Sequence, residues 1–264
     1  MPSSRSVYRT RLLHGSALLP QMRTLVRFWS DDAKPVDVMP LIEQRRLLGG
    51  VSSGRIKDII YRIFIPRYVR GNPPNAWRLL RLFEEADASL PLVRPLYYFY
   101  AARSETVLGD FVRQMLYPYY IDGRIHVNVK DALRFLTEAE ADGRIPTPWS
   151  EQARLHVARN LLAALRDFGI LEGRVRKRFT SPHLPLLPFA HIAFLLTQER
   201  QGAAALAHPD WRLFLLSHDA IERLFLEADR DNLLRYNAAG SIVRIDFPEE
   251  DLDAYSRFLV ARAY

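Results

Sequence analysis

The segment SEQARLHVARNLLAALRDFGILEGRVRKRF, residues 150–179, joins a helical pattern to a basic turn. Its apolar residues recur at the i, i+4, i+7, i+8 and i+11 spacing of one helix face, and they are Val157, Leu161, Ala164, Leu165 and Phe168. Thr147 or Ser150 can cap the start of this helix, and Gly169 ends it. The residues that follow predict two short strands, which form a hairpin with residues 172–173 in the turn.

A helix followed by a basic hairpin is the order of a winged helix, so we predict a winged-helix-like segment at 147–180. In that arrangement the helix enters the major groove of DNA, and the hairpin, called the wing, contacts phosphates. The helix face opposite the apolar stripe carries Arg159 and Arg166, which we expect to face the groove. The predicted phosphate contacts of the wing are Arg174, Arg176, Lys177 and Arg178. A basic turn that is only solvated is the alternative interpretation.

The length of 264 residues is sufficient for two domains. The stretch RYVRGNPPNAW, residues 67–77, combines a glycine with two adjacent prolines, which favours a loop at a domain boundary. We therefore predict a basic N-terminal domain at 1–74 and a C-terminal domain at 75–264. Most of the remaining pattern is helical, with a further hairpin around residues 237–240. The predicted fold class is mainly α, a helical bundle with helix-turn-helix and winged-helix features and one or two small β-hairpins.

The N-terminal domain contains a second candidate DNA-binding element. VMPLIEQRRLL, residues 38–48, and VSSGRIKDIIYRIF, residues 51–64, predict two short helices joined by a turn that contains two glycines. This is the order of a helix-turn-helix motif, although helical domains that bind no DNA often contain it too. The basic side chains that we expect to form a second contact surface are Arg55, Lys57 and Arg62.

The balance of charge favours a polyanionic partner. The chain has a formal net charge of +7, and 33 of its 37 basic residues are arginines, whose planar side chain suits phosphate. Residues 1–82 hold 15 basic side chains against five acidic ones, so the other 182 residues sum to −3. Such asymmetry points to nucleic acid before membrane, with double-stranded DNA preferred and RNA left open.

Composition excludes several other classes of protein. Hydrophobic residues make up 48% of the chain, which is typical of a globular protein. The longest apolar stretch, residues 184–196, contains two prolines and is shorter than the roughly 20 residues that cross a bilayer, so no membrane span is predicted. The absence of cysteine excludes disulfides, thiolate catalysis and cysteine-ligated metals, and it fits a cytoplasmic protein.

No catalytic motif stands out in the sequence. No glycine-rich phosphate loop is present, and the seven histidines follow no metal-ligand spacing, so we predict no cofactor, no metal site and no small-molecule substrate. A cluster of carboxylates follows a candidate strand, and it consists of Asp246, Glu249, Glu250 and Asp251. These carboxylates keep a metal-dependent nuclease open as an alternative, but acids at a helix N-terminus explain them more simply.

Six segments, taken in order, resemble the BrxA family of bacteriophage-exclusion (BREX) systems. They are LLHGSALLPQM (12–22), SSGRIKDIIYRIF (52–64), DFVRQMLYP (110–118), LLAALRDFGILEGRVRKRF (161–179), WRLFLLS (211–217) and GSIVRI (240–245). The resemblance implies a mostly helical, non-enzymatic cytoplasmic protein that binds duplex DNA within a multi-component phage-defence system. It supplies no catalytic residues. An adaptor that binds other BREX proteins through its arginine-rich faces is the competing hypothesis.

Overall fold

A computed structural model describes residues 7–240 and 242–262. The first six residues of the domain predicted at 1–74 lie outside this range, as does Ser241 in the turn of the predicted C-terminal hairpin. The α-helices are α1 (Leu19–Phe28), α2 (Pro35–Gln44), α3 (Ser53–Asp58), α4 (Ala76–Glu85), α5 (Leu90–Ser104), α6 (Thr106–Phe111), α7 (Tyr117–Ile121), α8 (Val129–Ala141), α9 (Glu151–Asp167), α10 (Leu186–Glu199), α11 (Ala203–Leu206), α12 (His218–Arg230) and α13 (Leu252–Ala261). Segments Ile59–Val69 and Val112–Leu116 are π-helical, and Thr10–His14 and Pro209–Phe214 are 3-10 helices.

Short strands form two small antiparallel sheets. The strands are β1 (His126–Val127), β2 (Leu171–Glu172), β3 (Lys177–Phe179), β4 (Arg235–Ala239) and β5 (Ile242–Asp246). The first sheet has the order β1-β3-β2, and the second is the hairpin β4-β5. The predicted fold class, mainly helical with small hairpins, is confirmed.

The chain divides into two compact units. Unit 1 comprises Met1–Arg78 and Tyr100–Thr180, and unit 2 comprises Leu79–Phe99 and Ser181–Tyr264. The domain boundary that we expect near residue 74 stays a prediction. Unit 1 contains 27 Lys and Arg against 15 Asp and Glu, a net charge of +12, whereas unit 2 contains 10 against 15, a net charge of −5. The basic character of the chain therefore belongs to unit 1.

Polar side chains fix where several helices begin, because each accepts a hydrogen bond from a backbone N–H of the first turn. The residues that do so are Ser52, Asn128, Ser150, Ser217 and Asp251. The carboxylate of Asp131 in turn accepts a hydrogen bond from the backbone N–H of Asn128, which completes a capping box at the start of α8. The cap predicted at Ser150 and the start predicted near Ser52 are both confirmed.

The first helix of the predicted helix-turn-helix pair differs from its predicted bounds. It begins at Pro35, whose fixed φ suits the first helical position, and it ends at Gln44 instead of reaching Leu48. Arg46, Gly49 and Gly50 have φ between 49° and 84°, so the backbone cannot continue as a helix there. The connection to α3 is consequently longer than the sequence pattern predicts.

The tyrosines of α5 belong to the core. The side chains of Tyr97 and Tyr98 in unit 2, and of Tyr100 in unit 1, are fully buried. Tyr97 Oη donates to Glu84 Oε1 at 3.1 Å, and Tyr98 Oη donates to the carbonyl of Leu213 at 3.0 Å. The hydroxyls of Tyr97 and Tyr98 are therefore hydrogen-bonded inside the unit. Because the rings of these tyrosines are buried, they are not available to stack on nucleic-acid bases.

Unit 2 packs α10 against α12 and α13. His191 on α10 is completely buried, and its Nδ1 lies 3.1 Å from Ser256 Oγ. Burial lowers the pKa of His191 to about 3, so the imidazole is neutral inside the unit. Within residues 7–240 and 242–262, no helix has the length and apolarity needed to cross a membrane.

Candidate nucleic-acid interface

Helix α9 supplies the central element of the predicted interface. Its apolar stripe is buried as expected, from Val157 through Leu165 to Phe168. The helix stops because Gly169 adopts a left-handed φ of 83°, and the N–H of Ile170 then donates back to the carbonyl of Leu165 at 2.9 Å. The face of α9 that is buried is thus the one that the apolar periodicity of the sequence predicts.

The opposite side of α9 is an exposed polar strip. Gln152, His156, Arg159 and Arg166 are spaced by four, three and seven residues, and all four are exposed. Arg166 is engaged by its neighbour, since its Nη2 and Nε donate to Asp167 Oδ1 at 2.6 and 3.0 Å. Arg159 forms no ion pair with any residue in the described ranges. The strip therefore presents to solvent the guanidinium of Arg159, which has no ion pair with a described residue, the imidazole of His156 and the amide of Gln152.

One flank of this strip is covered by the N-terminal segment. Asn160 Nδ2 donates to the carbonyl of Leu12 at 2.6 Å, and Ser16 Oγ donates to Asp167 Oδ2 at 3.0 Å. Both contacts join residues about 150 positions apart in the sequence. They fix the position of α9 while leaving its polar strip accessible to solvent.

The hairpin β2-β3 is the predicted wing. In the register of the sheet, Glu172 pairs with Arg178, and Arg178 Nε donates to Glu172 Oε1 at 2.7 Å. The turn needs Gly173, because its φ is 92° and a Cβ there would lie 2.3 Å from the carbonyl oxygen of Arg176. Arg174 and Arg176 are exposed at the tip, beside Val175, whose exposure is 90%. The tip offers two arginines and one apolar side chain to a partner.

Lys177 occupies a different environment from the other three wing residues. It is only 6% exposed, and its Nζ donates to the carbonyls of Gly173 and Arg174 at 2.8 and 2.5 Å. Burial, and to a smaller extent the charge of Arg166, lowers the pKa of its ammonium, which Asp167 partly opposes. Two of the lysine's three donors are thus used to close the turn of the wing.

The structure adds a third strand that the sequence analysis missed. β1 lies antiparallel to β3, with His126 opposite Arg178 and Val127 opposite Lys177. Its two residues have no periodicity of their own, so no sequence signal marks them as a strand. Gln152, also missed, lies seven residues before Arg159 and could have been found by extending the Arg159–Arg166 spacing backwards.

The three basic side chains of the second predicted surface, in the N-terminal region, differ in their exposure to solvent. Arg55 is half-buried, and its Nη1 donates to the carbonyl of His14. Lys57 is exposed on α3. Arg62 is exposed on the π-helical segment, where it lines a cavity with other arginines. One of the three therefore has a structural contact, and two have free access to solvent.

The carboxylates of the nuclease alternative lie in unit 2. Asp246 Oδ2 accepts from Arg244 Nε at 2.7 Å, and Asp251 caps α13 by accepting from a backbone N–H. Asp246, Glu249 and Glu250 line a cavity of about 500 Å³. In the part of the chain that the structure describes, no group of three or more His, Asp or Glu side chains is placed to hold a metal ion.

Comparison with known proteins covers most of unit 1 and part of unit 2. The family model BrxA matches residues 6–194, which include the segment predicted as winged-helix-like at 147–180. No curated protein matches the chain. Since the match covers well over half of the sequence, the chain belongs to the BrxA family and is a component of a BREX phage-defence system.

Proposed function

We propose that this protein binds duplex DNA without a catalytic step, in the cytoplasm, through the segment at 106–180. The segment consists of a continuous helical stretch at 106–121, followed by β1, α8, α9, β2 and β3. β1 is an edge strand that pairs with the central strand β3. That order and pairing are typical of winged-helix proteins. We assign α9 to the major groove and the hairpin β2-β3 to the adjacent phosphates.

The observation that carries the proposal is the exposed arginine set on α9 and the wing. Arg159, Arg174 and Arg176 are exposed, and none of them forms an ion pair with a described residue. The wing lies beside the C-terminal end of α9, because β2 follows α9 closely in the chain and packs against it. The net charge of +12 on unit 1 adds a long-range attraction for a polyanion.

Gln152 and His156 supply the groups that read bases. Both lie on the exposed strip of α9, with His156 one turn and Gln152 two turns before Arg159. A glutamine amide can make a bidentate contact to adenine, whereas arginines that hold phosphate fix register without reading sequence. Substitution of Gln152 is therefore expected to change sequence preference, and substitution of the wing arginines to weaken all sequences alike.

The test is a titration of a short DNA duplex at several salt concentrations between 50 and 200 mM. The variant Arg159→Ala/Arg174→Ala/Arg176→Ala is expected to bind more weakly, and the slope of log affinity against log salt should fall by about 0.9 for each lost phosphate contact. The matched control is Arg223→Ala/Arg230→Ala/Arg235→Ala in unit 2, which removes the same number of exposed arginines. Equal loss in the two triple variants would contradict the proposal, as would a wild-type protein whose DNA affinity is independent of salt.

A further inference from the structure

Unit 1 contains a cavity that is walled by arginines and takes no residue from the winged-helix-like segment. Its volume is about 460 Å³, within the range of small-molecule sites. Its charged lining residues are Arg9, Arg11, Arg62, Arg70 and Arg103. Among the described residues, no aspartate or glutamate lines it.

One wall of this cavity is held in place by the side chain of Ser104, which contacts backbone groups of the neighbouring segment. Ser104 Oγ lies 3.0 Å from the carbonyl oxygen of Arg67 and accepts a hydrogen bond from the N–H of Asn72 at 3.2 Å. Gly71 passes so close that a Cβ would lie 2.1 Å from the Arg67 oxygen and 2.4 Å from Ser104 Oγ. A preformed wall of this kind lowers the cost of ordering the site when a ligand binds.

Glu105, which follows the lining residue Ser104 in the chain, already has a partner. Glu105 is buried, and its Oε1 lies 3.4 Å from Nε of the fully buried Arg67. Arg67 also donates to the carbonyl of Ser16 at 2.9 Å. Burial raises the pKa of Glu105, while the charge of Arg67, and to a smaller extent those of Arg11 and Arg9, oppose the rise. The carboxylate of Glu105 is therefore paired mainly with Arg67, and the five arginines that line the cavity keep a net positive charge.

Two arginines of the cavity surface, Arg62 and Arg70, are open to a bound anion. Arg62 and Arg70 are exposed, and neither forms an ion pair with a residue in the described ranges. Like charges that share one concave site repel each other, and the field is focused by the walls, so a bound anion would lower the energy of the site. Guanidinium groups match the oxygens of phosphate in a bidentate geometry.

We propose that this cavity binds a nucleoside phosphate, with the phosphate held by Arg62 and Arg70 and the base placed against Tyr61. The ring of Tyr61 lines the same cavity and is 42% exposed, which leaves a face on which a base can stack. Asn72, also in the lining, offers an amide that can donate to and accept from the edge of a base. A free nucleotide fits the volume, whereas the wing and α9 serve the duplex.

The test measures binding of ADP, adenosine and inorganic phosphate to the full chain by calorimetry. ADP is expected to bind at least tenfold more tightly than either adenosine or phosphate alone, because only ADP engages both halves of the site. Tyr61→Ala/Arg70→Ala should weaken ADP at least tenfold and keep the affinity for duplex DNA within about twofold, because neither residue belongs to a predicted DNA-contact surface. Arg159→Ala/Arg174→Ala/Arg176→Ala should show the converse pattern, which also controls for misfolding.

Three results would overturn the proposal. The first is a wild-type chain that binds no ADP at millimolar concentration. The second is inorganic phosphate that binds as tightly as ADP, because the site would then recognise only an anion. The third is a Tyr61→Ala/Arg70→Ala variant that loses duplex DNA and keeps ADP, because these two residues would then belong to the DNA surface. Failure of duplex binding in the wild type, with ADP binding intact, would refute the proposed function and leave the nucleotide site standing.

Discussion

Unit 1 carries 27 basic and 15 acidic side chains, whereas unit 2 carries 10 basic and 15 acidic ones. Since the acids are equal in number, the difference in net charge comes from the basic residues. The units also differ in what they bury: unit 1 encloses the ion pair of Arg67 and Glu105, and unit 2 encloses a neutral histidine, His191. The comparison teaches that unit 1 is basic overall and buries an ion pair, whereas unit 2 is acidic overall and buries a histidine whose imidazole is neutral. Their stabilities should respond differently to the loss of a charge and to pH.

The largest effect is expected at the buried ion pair of unit 1. Glu105→Gln leaves the guanidinium of Arg67 inside the protein without its carboxylate, and breaking a buried pair from one side costs about 3–5 kcal/mol. Urea denaturation gives the free energy of unfolding, and hydrogen exchange followed peptide by peptide locates the loss in unit 1. The double variant Arg67→Met/Glu105→Leu should be closer to the wild type, because it removes both charges. If the single variant is as stable as the wild type, buried charge does not distinguish the two units.

The next effect is a dependence of stability on pH that originates in unit 2. The pKa of His191 is about 3 in the folded chain, against about 6.5 when unfolded, so the unfolded chain binds the extra proton between these values. Stability is therefore complete above about pH 6.5 and falls as pH falls, by roughly 1.4 kcal/mol per pH unit, or about 2 kcal/mol at pH 5. His191→Asn, which cannot be protonated, should flatten this part of the profile. A profile unchanged by His191→Asn would show that other groups titrate there.

The smallest effect is expected at the surface of the wing. The pair of Arg178 and Glu172 is well aligned, but both side chains are largely exposed, at 61% and 48%. Exposed ion pairs contribute about 0.2–1 kcal/mol to the free energy of unfolding. A double-mutant cycle with Arg178→Ala and Glu172→Ala, measured by urea denaturation, should give a coupling energy in that range that decreases at 0.5 M salt. A coupling energy above about 2 kcal/mol would mean that this surface pair behaves like the buried pair of unit 1.

Local periodicity made α9 and the hairpin predictable. The apolar spacing from Val157 to Phe168 sets which face of the helix is buried, and Gly169 and Gly173 mark the two turns. The fold class follows from such local signals. By contrast, β1 is a strand only because Val127 pairs with Lys177, fifty residues further along the chain, and no local pattern records such pairing.

The candidate sites were less predictable than the fold. Sequence shows that Lys177 is charged, but its burial depends on how the turn carbonyls of Gly173 and Arg174 are placed around it. The arginine cavity joins residues from three distant segments, so neither the spacing of Arg62 and Arg70 nor the basic N-terminus identifies it. Charge composition predicts a polyanionic partner, but tertiary contacts are needed to find which arginines are accessible.

The hydrogen bonds from Asn160 to the carbonyl of Leu12 and from Ser16 to Asp167 have a consequence for synthesis of the protein. The N-terminal segment leaves the ribosome long before its partner helix exists, and it has to wait for residue 167 before it can dock. During translation its arginines and apolar residues are therefore exposed without their native neighbours, at a stage when other chains or chaperones can reach them. Unit 1 completes its folding late, after the chain of residues 79–99 has already been made.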